Sequence, residues 1–141
     1  MDQLQQLVER QAIADVMHAY CRLIDARDTA AFVELFTEDC VANYTRDDLR
    51  GKAEIHAFVD KFIQGLMQAT QHQVSNFEIE LTGDAEARSV SYVSAWHRFK
   101  KDRPDYLVHG QYHDRWRKEA GTWRIAERRI VVLGEVDQPK L

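Results

Sequence analysis

Near residue 70 the hydrophobic period of this 141-residue chain changes from 3.6 to 2. Helix-spaced apolar residues precede that point and alternating ones follow it, which predicts an α+β domain with helices packed on one side of consecutive antiparallel strands. Residues 3–26 carry the helical stripe Leu4, Leu7, Val8, Ile13, Val16, Tyr20, Leu23. Asp28 is expected to cap a short second helix, TAAFVELF, closed by Thr37-Glu38-Asp39. A short strand CVANYT, the turn RDDLRG and a third helix opened by Gly51-Lys52 follow, with the stripe Ile55, Phe58, Val59, Phe62, Ile63, Leu66. Strands are then expected at about 71–82, 86–100, 105–118 and 122–134, with EVDQPKL as a loose tail. A strongly curved sheet wrapped around the three helices leaves a pocket at its open end.

Length and composition narrow the function classes. A chain of this size with 45% apolar residues suits one domain with a core. The formal charge, 19 − 23 = −4, has interspersed signs and offers no footprint for nucleic acid. The basic residues Arg115, Arg117, Lys118, Arg124, Arg128 and Arg129 alternate with apolar ones and are expected to decorate one sheet face. No segment approaches the ~18–20 apolar residues of a membrane span, and the polar N-terminus is unlike a signal peptide. A cytoplasmic protein without membrane contact is expected, with Cys21 and Cys40 reduced and buried. There is no Gly-rich phosphate loop and no metal-type spacing, so neither a nucleotide cofactor nor a metal is expected.

The residues that stand out chemically are Asp25, His72 and His97. Asp25 extends the row Ile13, Met17, Cys21 at i+4 spacing, which aims a carboxylate at the core near a helix C-terminus. Burial and the macrodipole both disfavour a negative charge there unless it has a partner. A histidine is the obvious one, and an Asp–His pair in an apolar pocket is a general-base device. The bland alternative for Asp25 is a helix-end cap or an arginine partner. His97 shares a strand face with the small residues Ser91 and Ala95, which leave room for a ligand. His109 and His113 share a face with Gln111, either lining a pocket or forming a polar sheet face.

Four strings resemble the SnoaL-like branch of the NTF2-like superfamily, which includes scytalone dehydratase and hexachlorocyclohexane dehydrochlorinase: YCRLIDARD, ATQHQVSNFEIEL, SYVSAWHRF and YHDRWRKEAGTWRI. The resemblance spans about residues 5–134. It implies the NTF2-like cone, three N-terminal helices held in a strongly curved mixed or antiparallel sheet. It also implies that Asp25 and His72 are the paired base, that His97, 25 residues further on, is a second catalytic histidine, and that Tyr44 is an acid or oxyanion donor. Departures from the dehydratase pattern are Ile24, where that enzyme has a tyrosine, and Gly110, where it has a serine; Tyr20 stands where the dehydrochlorinase has a lysine.

The substrate-contact set is therefore expected to include Met17, Tyr20, Ile24, Phe58, Phe62, Ala95, Gly110 and Arg128. Phe58 and Phe62 also fit a plain core reading. Either Arg128 or Arg129 should point into the cone and could bind a carboxylate or enolate, against the alternative of surface pairing. The implied activity is a cofactor-independent, dehydratase-type elimination on a small hydrophobic carbonyl or hydroxy compound. An isomerase or cyclase using the same base is the near alternative, and a non-catalytic ligand-binding or accessory subunit the distant one. A buried Asp25–His72 pair would favour catalysis. An exposed aromatic face formed by Tyr106, Tyr112, Trp116 and Trp123 predicts a homo-oligomer, a trimer before a dimer.

Overall fold

The computed structural model describes residues 1–140. In chain order the elements are α1 (Gln3–Asp25), α2 (Thr29–Val33), β1 (Phe36–Asn43), β2 (Asp48–Arg50), α3 (Gly51–Val59), β3 (Met67–Leu81), β4 (Glu86–Phe99), β5 (Asp105–Glu119) and β6 (Thr122–Gln138). A π-helical turn over Asp60–Gln64 joins α3 towards β3. The strands form one six-stranded sheet in the order β2-β1-β6-β5-β4-β3. β3 to β6 are antiparallel neighbours, whereas β1 lies parallel to β6, so the sheet is mixed.

The first helix starts where a capping box can form. The Asp2 carboxylate accepts from the Gln5 N–H at 2.8 Å, and the Gln5 side chain accepts from the Asp2 N–H. Its buried face is Ile13, Ala14, Met17, Tyr20, Cys21 and Ile24; Leu4, Leu7 and Val8, counted in the predicted stripe, are exposed. Arg27, with φ 61°, breaks the helix in the left-handed region, and Asp28 caps α2 through the Ala31 N–H. Both cysteines are free and buried.

Three boundaries depart from the sequence expectation, each because a ladder partner outweighs local propensity. The second helix ends at Val33, and Phe36 to Asp39 are strand rather than helix end, with Phe36 opposite Ile125. The first long strand begins at Met67, four residues early, with Thr70 opposite His97. The supposed loose tail continues β6 to Gln138, pairing Leu107 with Val136 and Tyr106 with Asp137.

Face assignments shift as well. Tyr112, Trp116 and Trp123 are buried on the concave side, packed with α1 and β1 residues in the core, and Tyr106 lines the cavity described below. The expected outer aromatic face therefore does not exist. His109 and His113 lie on the exposed face instead. Arg128 does not decorate the surface either: it is fully buried opposite Asp114, its Nε and Nη2 each donating to that carboxylate at 2.8 Å. Its guanidinium lies over the rings of Tyr20 and Tyr112, 4.2 and 4.0 Å from their centroids.

Removing one partner of such a pair strands the other charge in the core, a loss of about 3–5 kcal/mol. Asp114→Ala is expected to lower unfolding stability by about that amount in urea titration. A loss near zero would show that Arg128 does not depend on it.

Candidate active site

The end of α1 and the start of β3 meet because both are tethered at the same corner. Arg27 Nη2 donates to the Met67 carbonyl at 2.6 Å, and Gln64 Nε2 donates to the Arg27 carbonyl and the Thr29 hydroxyl. This lays β3 under the last turn of α1, so the Asp25 carboxylate faces three donors. Oδ1 accepts from the Thr70 hydroxyl at 2.9 Å and lies 2.8 Å from His72 Nδ1; Oδ2 accepts from the His72 backbone N–H at 2.8 Å. A carboxylate only accepts, so Nδ1 carries the hydrogen and Nε2 of the neutral ring keeps its lone pair. The side chains of Asp25 and His72 are 24% and 8% exposed, so the pair is largely shielded from water.

Strand register brings the second histidine in. His72 lies opposite Ala95 and Thr70 opposite His97, so the two histidines are diagonal neighbours on the concave face. Their rings meet edge to face with centroids 5.6 Å apart. His97 Nδ1 is 3.2 Å from the carbonyl of Tyr106, its partner on β5, which again leaves Nε2 without a hydrogen in the neutral form. Burial, and then the neighbouring His72, hold His97 below the ordinary histidine value.

Both histidines line a cavity of about 540 Å³ between the helices and the concave sheet. Of the expected contacts it gathers Tyr20, Ile24, Tyr44, Phe58, Phe62, His72, Ala95 and His97. Asp25 stands behind His72, outside the lining. The Tyr20 hydroxyl donates to the Tyr44 hydroxyl at 2.7 Å, so Tyr44 keeps its own proton to donate elsewhere. Burial pushes both phenols up, Tyr44 well above the usual range, so neither ionises near neutral pH.

Three expected contacts lie outside the lining. Met17 is fully buried core, one turn before Cys21 on the packed face of α1. Arg128 is held by Asp114 behind Tyr20 and Tyr112. Gly110 is filled by the sheet itself: a Cβ there would meet the Val131 carbonyl oxygen at 2.5 Å, where β6 carries an extra residue against β5. On β5 and β6, sequence reasoning missed Tyr106, Val108, Tyr112, Ile130, Val132 and Glu135 in the lining. The even-numbered alternation along β5 was a usable signal for its three residues. Glu135 had none, since it fell in the supposed tail. Among the described residues no group of three or more His, Cys, Asp or Glu side chains could hold a metal ion, and no helix is long and apolar enough to cross a membrane.

Residues 5–129 match the model of the SnoaL-like domain. A provisionally named scytalone dehydratase of Novosphingobium aromaticivorans is 30% identical, over 96% of this chain and 91% of that one, with a TM-score of 0.90. A second protein of that organism, provisionally named an aromatic ring hydroxylase, is 25% identical over 94% of each chain, with a TM-score of 0.86. A type 2 hexachlorocyclohexane dehydrochlorinase, LinA, is 13% identical over 99% of this chain and 95% of that one, with a TM-score of 0.90; that likeness is one of fold alone. No curated protein matches the chain.

The environment of His97 sets a pH signature. In an NMR titration its ring proton is expected to turn over below the ordinary value of 6.5, and to move only part of the way back in His72→Ala, because burial is the larger cause. A histidine depressed in the folded state takes up its proton later than in the unfolded chain. Its contribution to stability is therefore full above about 6.5 and is lost as the pH falls through the folded midpoint.

Proposed function

The chain belongs to the SnoaL-like domain family, and on that premise we propose that it is a cofactor-independent lyase of the dehydratase type. The substrate is a small, largely apolar molecule with an acidic C–H beside a carbonyl and a leaving group at the β position. His72 Nε2 takes the proton, Asp25 holds the ring in the required tautomer, and the carboxylate stabilises the imidazolium that forms. The C–H electron pair first moves onto the carbonyl as an enolate, and the enolate then forms the new double bond as the bond to the leaving group breaks. When that group is hydroxide, the proton on His72 is returned to it, water departs and the base is restored.

Tyr44, whose hydroxyl accepts from Tyr20, donates to the developing oxyanion. His97 is held neutral with Nδ1 turned to the Tyr106 carbonyl, so its Nε2 accepts a hydrogen bond from a substrate hydroxyl. In that state it orients the leaving group instead of protonating it.

The observation that carries this reading is the 2.8 Å contact between Asp25 and His72 in a largely shielded corner of an apolar cavity. A binding module has no need of a carboxylate that, besides holding β3, fixes the tautomer of a histidine lining the cavity. Isomerisation or cyclisation would use the same base, with the proton returned to carbon in the first case and the enolate attacking internally in the second. The provisional name of the relative that is 30% identical, a dehydratase, favours elimination.

Deuterium uptake from heavy water, followed by mass spectrometry on a panel of cyclic β-hydroxy ketones, tests this. The wild type is expected to exchange and eliminate; His72→Ala and Asp25→Asn should each slow both by roughly 10²–10⁴-fold. Exchange without loss of the leaving group would point to isomerisation. Binding without exchange in any variant would sink the catalytic reading.

A further inference from the structure

The fixed charge that a ligand meets in this cavity is of one sign. Its ionisable lining is His72, His97, the tyrosines and Glu135. The nearest buried cation, Arg128, has no access to it, being held by Asp114 and covered by Tyr20 and Tyr112. Each imidazole turns its Nδ1 away from the cavity. His72 turns its N–H towards Asp25, and His97 turns its own towards a backbone carbonyl. Asp25 and Glu135 remain, both negative.

Glu135 is placed by the last stretch of β6. It pairs with Val108 on β5, and the next residue but one, Asp137, pairs with Tyr106. It is exposed and also lines the cavity, so its carboxylate stands where the cavity meets solvent. Tyr106 shares that rim with His97, their ring centroids 5.7 Å apart. Burial and then the Glu135 carboxylate push the Tyr106 phenol up to about 12, so it remains a neutral donor. An entering molecule therefore passes a carboxylate, reaches two imidazole lone pairs, and meets its hydrogen-bond donors in phenols.

We propose that Glu135 is a specificity-determining residue, a charge filter at the mouth that turns away anionic ligands and admits neutral ring-sized molecules carrying hydroxyl or carbonyl groups. This rests on reading the cavity as the substrate site. It narrows the substrate class to uncharged compounds and excludes their carboxylate and phosphate counterparts. The deprotonated intermediate is then the one anion the site accommodates, generated inside beside the newly formed imidazolium.

Two naphthalene probes of matched size test it by calorimetry at about pH 8, above the reference histidine value: 2-naphthol, uncharged, and 2-naphthoate, anionic. The wild type is expected to bind 2-naphthol about tenfold or more tightly than 2-naphthoate. Glu135→Gln should tighten 2-naphthoate by about three- to tenfold and leave 2-naphthol within about twofold. Added salt should tighten 2-naphthoate in the wild type and not in the variant, because it screens the rim charge.

Equal affinity for the two probes in the wild type, a parallel shift of both in Glu135→Gln, or no shift in either would overturn the proposal. So would failure of the wild type to bind either one. The assay reads binding and not turnover, so loss of discrimination leaves the assignment of His72 as base standing. Conversely, an inert His72 in the exchange experiment leaves the filter intact.

Discussion

A carboxylate at the C-terminal end of α1, turned to the concave face of the sheet, is the group that the rest of the cavity must accommodate. The helix end repels its charge and the fold removes most of its water. Three donors compensate, and all come from two residues of β3. To supply them β3 has to start by Met67 and run beneath the last turn of α1. Once β3 is there, its register on β4 places Ala95 and His97 on the same face. The pairing of His97 with Tyr106 then carries the arrangement to β5. One electrostatic requirement thus propagates across three strands.

The second buried charge is handled differently. Arg128 is neutralised by a cross-strand carboxylate and flanked by two aromatic faces. This stiffens the wall between Tyr20 and Tyr112, and Tyr20 in turn fixes the hydroxyl of Tyr44. The positive charge serves the architecture of the wall. Imidazoles and phenols form the polar surface in front of it, with Glu135 at the rim. The cavity is consequently basic in the Brønsted sense yet carries no exposed cation.

Much of this was legible in the chain. The i+4 row ending in Asp25 aimed it inward, and the resemblance to the family, not the spacing itself, paired His72 with His97, which the strand register brings together. Alternation along β4 put His97 beside Ala95 correctly. Other features misled. Tyr112 and Trp116 were assigned to the outside because period 2 identifies two faces without saying which is concave. Arg128 was expected near the ligand because a single sequence cannot show that Asp114 lies opposite. Gly110 was read as a lost side chain when the Val131 carbonyl occupies that space. The segment 135–138 was dismissed because its strand character comes from pairing with Asp105 to Val108.

By itself the sequence determined the class of fold, the helix face that carries Asp25, and the residue types available for base chemistry. These depend on periodicity and on side-chain chemistry, which are local. The tertiary structure alone decided which face of each strand turns inward, which charge is spent within the core and which meets a ligand, and that Glu135 stands at the mouth. Those outcomes follow from strand register and sheet curvature, where residues more than a hundred positions from Asp25 come to line the cavity it adjoins, and no local pattern encodes a distance of that kind.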